Sequence, residues 1–214
     1  MGFTAAAVVA GVVLGFAFGG RPSNISRRPL QLVSVLAVSV ALQAVAETLD
    51  LPDAAGLAMV LVSYVGLSAF AVANIRLVGM PVVLVGLVCN LVVITVNGGM
   101  PVDREAIVAA GVATDAEIDD LDFGAKRHLR DTDDVVVFLG DIIPVELTEE
   151  VLSFGDLILA FGVANVIFRL LRPPGARRRH DDDDNLQPAD HTVRSDGLFR
   201  LDLTTERSEH LVDA

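Results

Sequence analysis

The sequence predicts an all-α integral membrane protein with five transmembrane helices, an external cap of mixed loops and short helices, and a disordered cytoplasmic tail. Three observations carry this prediction. Hydrophobic residues make up 52% of the 214-residue chain, and its mean hydropathy is +0.56, more apolar than an average soluble domain. Apolar stretches occupy 3–20, 29–48, 54–75, 77–97 and 152–171, each close to the roughly 20 residues that cross about 30 Å of hydrocarbon. Arginines gather in alternate loops between them. No charged residue occurs from Leu30 to Ala46 or from Leu77 to Met100. Both runs are apolar all round and need lipid or a large surrounding core. The remaining chain is too small to provide that core.

No Lys or Arg precedes the first stretch, and Arg21, Arg27 and Arg28 come after it. This reverses the charge order of a secretory signal, so the segment reads as a retained helix with its N-terminus outside. Gly11, Gly15 and Gly19, with Ala7, form a row at four-residue spacing, which lets a neighbouring backbone come close. The loop before the third stretch carries Glu47, Asp50 and Asp53 and no base, whereas Arg76 precedes the fourth. Arg169, Arg172, Arg177, Arg178 and Arg179 end or follow the fifth. By the positive-inside rule this alternation places the C-terminus in the cytoplasm of a cell membrane. The chain thus divides into a four-helix membrane region (1–97), an external cap (98–151), a fifth span (152–171) and a tail (172–214). In the tail, residues 181–214 hold ten acids and three arginines with few large apolar residues, a composition that favours disorder.

The cap carries its own punctuation. Asn97-Gly98-Gly99 signals a turn, and Pro101 stiffens the chain just beyond it. Asp103 suits the N-cap of a helix at 104–110 closed by Gly111. Thr114 and Glu117 fit a capping box opening a second helix near 115–122. The apolar run 135–145 is too short to span, and Gly140, Asp141 and Pro144 interrupt it. Two placements are open for it: folded back onto the helix ends as a re-entrant segment, or an exposed surface strand.

Polar residues collect towards the outer ends of the helices. Asn90 lies about 10 Å below the outer end of its span and shares a face with Gly86 and Asn97. Gln43 and Glu47 are four residues apart at the end of the second stretch. Asp156 opens the last one, with Ser153 placed as its N-cap. Asn90, Asn97, Asp141, Asp156, Glu47, Gln43 and the cap residue His128 are therefore the candidate binding residues. Carboxylates and amides at such a depth suit a small cation, a proton or a polar solute. Each has a plainer reading as well: a helix cap, a turn residue, a solvated side chain or, for Asn90, an interhelical hydrogen bond.

Other functions find less support. The net charge of −12 argues against nucleic-acid binding, which needs a basic face. The single Cys89 forms no internal disulfide. The chain has no Walker loop, HExxH pair, GxSxG or dinucleotide fingerprint, and nothing in it calls for a cofactor. Gly140-Asp141 and Gly155-Asp156 resemble only a fragment of an intramembrane aspartyl protease motif, so catalysis ranks third. The alternative to solute binding is a non-catalytic scaffold that recruits a protein partner through the cap or the tail, with the lipid bilayer as the common partner of both readings.

The motifs VNGGMPV (96–102), His128, LGDIIPV (139–145) and SFGD (153–156) resemble the small bacterial multi-pass membrane proteins grouped as domain of unknown function 5317. The resemblance covers roughly residues 1–171. It implies that Asn97, Gly98, Gly99, Met100, Pro101, His128, Gly140, Asp141, Pro144, Ser153, Gly155 and Asp156 belong to the family pattern and that the cap is an ordered part of the fold. It implies no activity, substrate or cofactor.

Overall fold

A computed structural model of the chain describes residues 2–27, 29–49, 51–124 and 126–172. The bundle consists of α1 (Gly2–Ala17), α2 (Val33–Thr48), α3 (Asp53–Ala73), α4 (Met80–Asn97) and α6 (Phe154–Leu171), with a short α5 (Arg104–Ala109) in the cap. Among the described residues, three helices are long and apolar enough to cross a membrane: α3 with 21 residues, and α4 and α6 with 18 each. The helices α1 and α2 are apolar but shorter, with 16 residues each. The first stretch stops early because Gly19 takes a left-handed backbone. The second starts late because Pro22–Arg27 forms a 3-10 turn and the chain reverses at Leu32. The tail, beyond Arg172, lies outside the described residues.

In space the helices neighbour one another in the order α1, α6, α4, α3, α2. Side by side, α1 and α6 run in parallel. Glu150, just before α6, accepts hydrogen bonds from the backbone N–H groups of Gly2 (2.7 Å) and Phe3 (2.8 Å). At the far end the N–H of Arg21 donates to the Leu171 carbonyl (2.8 Å). Gly11 and Gly15 face α6, where a Cβ on Gly11 would stand 2.7 Å from the Ala164 carbonyl oxygen. The expected glycine row is thus a packing face within the chain, although Gly19 has no neighbour close enough to join it. Beside α3, α2 runs antiparallel. At the end opposite the cap, the Asn74 amide exchanges hydrogen bonds with the Gln31 backbone, both at 2.9 Å.

The core of the bundle joins Val60, Tyr64 and Phe70 of α3 to Val83, Leu87, Val93 and Ile94 of α4 and to Val166 and Leu170 of α6. The exposed faces are apolar too: Val9, Val13, Phe16, Val38, Val62, Val65, Val85, Val96 and Phe161 all point outward. A soluble bundle would place charged residues there.

The cap begins where Gly98 ends α4 in a left-handed conformation. Strand β1 (Met100–Val102) pairs in parallel with β2 (Arg127–Leu129), and β3 (Ile143–Val145) pairs antiparallel with β4 (Glu150–Leu152). A bridge between Val102 and Asp141 joins the two pairs. Asp103 caps α5 by accepting from the N–H groups of Glu105 and Ala106. A second small core of Val102, Ala106, Ile107, Ala110, Ile118 and Val151 lies beneath α5. The helix expected near 115–122 is instead a 3-10 turn at Ile118–Asp120. Thr114 and Glu117 do pair, but Arg104 draws in the side chains of Asp115 and Asp119, and the acid-rich stretch wraps around it.

Segment 135–145 lies on the end of α4. The Asn97 amide donates to the Val135 carbonyl (2.9 Å) and accepts from its N–H (2.8 Å). A 3-10 turn at Val137–Leu139 comes next, Leu139 packs on the bundle core, and Asp141 is buried. Its last three residues form strand β3, so the segment combines a turn on the helix end with a short strand in the cap.

Candidate functional site

The cap end of the bundle is built around Asn90, which is wholly buried. An amide at this depth in an apolar helix requires partners, and α6 supplies them. Asn90 Nδ2 donates to Asp156 Oδ1 (2.7 Å), and Asn90 Oδ1 accepts from Ser153 Oγ (3.1 Å). Ser153 and Asp156 also close a capping box on α6: the Asp156 N–H donates to Ser153 Oγ (3.0 Å) and the Ser153 N–H to Asp156 Oδ2 (3.2 Å). The cap reading and the ligand-type reading of these residues thus coexist, since the same carboxylate serves α6 and α4. The helices meet closely here. A Cβ on Gly86 would lie 2.6 Å from the Leu159 nitrogen and 2.7 Å from the Gly155 carbonyl oxygen.

Contacts then lead outward from Asn90. Its Nδ2 is 3.5 Å from the Tyr64 hydroxyl oxygen. Lys126 Nζ lies 5.7 Å from the centre of the buried Tyr64 ring, within cation–π range. Burial works against the Lys126 charge, but Tyr64 and Asp156 outweigh it and raise the pKa above the ordinary lysine value. The next residue, Arg127, donates from Nε to Asp141 Oδ2 (2.7 Å).

Asp141 is 1% exposed, and its Oδ1 has no hydrogen-bond partner among the described residues. Burial pushes its carboxyl up to about 6, against the pull of Arg127, and the nearby Asp156 adds to the rise. A carboxylate short of partners in a low-dielectric site is expected to hold its proton more tightly. Among the described residues Asp141 and Asp156 make no hydrogen bond with each other: Asp141 pairs with Arg127, and Asp156 accepts from Asn90.

Two clefts open beside Arg127. One, of about 210 Å³, is lined by Glu47, Asp122, Phe123, Gly124, Lys126 and Arg127. The other, of about 180 Å³, lies between Arg127, Asp141 and the small core of the cap.

The remaining expected site residues are spread around this centre. Glu47 reaches the first cleft. Gln43 is half-buried on α2 and makes no side-chain hydrogen bond among the described residues. Asn97 holds Val135 in place. His128 Nε2 sits 2.9 Å from Asp134 Oδ1, tying β2 to the following turn, and its ring occupies the space that a Cβ on Gly99 would need. Gly98, Gly140, Gly155, Pro101 and Pro144 act through the backbone: Pro101 and Pro144 lie in β1 and β3, and Gly140 packs against the Pro101 carbonyl. Among the described residues, no group of three or more His, Cys, Asp or Glu side chains is placed to hold a metal ion. Sequence reasoning did not single out Tyr64, Lys126, Arg127 or Asp122. The available signals were that Tyr64 is the only tyrosine and Lys126 the only lysine of the chain.

The fold defines a class: a bundle of apolar helices, three of them long enough to span a membrane, that carries a small folded cap at one end. The chain belongs to the Family of unknown function (DUF5317), whose model matches residues 24–168. No curated protein matches the chain, and no solved structure does.

Proposed function

We propose that the protein is a five-span membrane protein, N-terminus outside, that binds a small polar solute where its external cap meets the bundle. Sixteen residues of helix rise only about 24 Å, short of about 30 Å of hydrocarbon. However, α1 keeps company with α6 from the Glu150 contact to the Leu171 contact, and α2 follows α3 from Asn74 towards the short loop before Asp53. This companionship supports the reading that α1 and α2 cross with α6 and α3, local thinning or tilt absorbing the mismatch. Arg21, Arg76, Arg169 and Arg172 lie at the end opposite the acidic cap, which favours that end as cytoplasmic.

The observation that carries the binding reading is the position of Lys126. It lines the cleft and also covers Tyr64, which touches Asn90. Charged groups at the surface are thereby linked to a polar cluster inside the bundle, the arrangement expected of a solute site or pathway. The test is a solute screen on the full-length protein in lipid nanodiscs, read as ligand-induced thermal stabilisation. A stabilising solute should lose its effect in Lys126→Met. If no polar solute stabilises the wild type, the binding reading fails. The scaffold reading draws support from Val108 and Val112, exposed apolar residues on the cap, and predicts that their substitution by Ser abolishes capture of a protein partner.

A further inference from the structure

We propose that the 210 Å³ cleft takes a small zwitterion, a solute carrying one carboxylate and one ammonium group on a short aliphatic body. This inference rests on the solute-binding reading and names the ligand class.

The cleft holds two cationic and two anionic side chains: Lys126, Arg127, Glu47 and Asp122. Opposite charges lining one small space ordinarily pair with each other. Among the described residues these make no hydrogen bond or close ion pair with one another, although the Glu47 charge acts on Arg127 across the cleft. Arg127 spends Nε on Asp141, which leaves both terminal guanidinium nitrogens without a hydrogen bond. Lys126 Nζ donates no hydrogen bond among the described residues; it overlies Tyr64, and Asp156 supports its charge from within the bundle. Glu47 accepts none. Asp122 accepts one, from the Gly124 N–H (2.8 Å), which fixes the turn and leaves its second oxygen open.

The cleft thus presents donors and acceptors that no protein hydrogen bond occupies, on side chains open to an entering solute. A simple anion would meet Glu47 and Asp122 as repulsive neighbours, and a simple cation would meet Lys126 and Arg127. A zwitterion satisfies both sets, its carboxylate lying on the guanidinium fork and its ammonium turned to Glu47. Phe123 provides an apolar wall for the carbon skeleton. The volume is below that of pockets for drug-sized ligands, which limits the solute to a few carbons.

The experiment is isothermal titration calorimetry on the full-length protein in nanodiscs with three probe sets: glycine, β-alanine and 4-aminobutyrate; acetate and propionate; ethylamine. The expected result is that one zwitterion binds about ten-fold or more tightly than either singly charged set, since losing a charge-assisted pair costs at least that much. Glu47 is exposed and accepts no hydrogen bond among the described residues, so Glu47→Gln tests the ammonium half without disturbing the fold. It should weaken the zwitterion about five-fold or more without weakening acetate, which loses a repulsive neighbour. If acetate binds as tightly as the zwitterion, or if Glu47→Gln changes nothing, the inference is overturned while the solute site stands. If no probe binds, the inference is overturned as well, and the solute screen alone decides the wider reading.

Discussion

Gly155 on α6 has no side chain where the Asn90 amide of α4 sits, and a methyl group there would overlap Asn90 Oδ1. The two residues are complementary. The glycine lets the helices approach, and the approach brings the buried amide onto Asp156 and Ser153. Close packing of small residues and interhelical hydrogen bonds are the main forces available between helices in lipid. Here both act at one crossing.

Gly155→Ala should therefore destabilise the bundle by roughly 1–3 kcal/mol, the usual cost of overpacking. Thermal unfolding in detergent measures it. The double variant Gly155→Ala with Asn90→Ala should recover part of the loss, because the overlapping amide is gone. An unchanged unfolding temperature in the single variant would show that α4 and α6 do not meet here.

Asp141 makes stability depend on pH in an unusual direction. Its folded pKa is raised from 3.8 to about 6, so the folded state binds the proton more tightly than the unfolded state. Its contribution is complete below pH 3.8 and is lost as pH rises towards 6, amounting to roughly 3 kcal/mol in full. Asp141→Asn keeps an acceptor for Arg127 Nε and cannot ionise. Its unfolding free energy should lack the decline that the wild type shows between about pH 4 and 6. Identical slopes for the two proteins would place the Asp141 titration elsewhere.

Glu150 behaves oppositely. Burial opposes its charge, but the hydrogen bonds it accepts at the start of α1 prevail and lower its pKa from 4.5 to about 2. Its stabilisation is present above pH 4.5 and is lost as pH falls towards 2. Glu150→Gln removes a negative charge from a helix N-terminus and should cost about 1 kcal/mol at pH 7, with the two proteins converging in acid. Equal stability at pH 7 would mean that the Glu150 charge adds nothing to the hold on α1, since the amide oxygen of Gln still accepts.

Much of the bundle was legible from runs of apolar residues, because helix length and lipid thickness obey the same arithmetic. Asn90 and the Ser153–Asp156 capping box were legible as well, the first from its depth and the second from local spacing. The true ends of α1 and α2 were not. They depend on the backbone at Gly19 and Leu32, which hydropathy does not encode. The interhelical hydrogen bond open to Asn90 is made, to Asp156 and Ser153. Asp141 was legible as a candidate but its partner Arg127 was not, because a pairing across 14 residues of the cap depends on the β1–β2 register. The turn at Ile118–Asp120 escaped for a similar reason: Arg104 gathers its acids from outside the local stretch.

The central claim is that all five helices of the bundle cross the membrane, with the cap outside. Single cysteines introduced in a Cys89→Ala background and probed with a membrane-impermeant maleimide on intact cells test it most directly. Leu49→Cys and Ala116→Cys should be labelled from outside, whereas Ser23→Cys and Arg76→Cys should react only after the membrane is opened. Labelling of positions 23 and 49 from the same side would contradict the account, because α2 would then not cross.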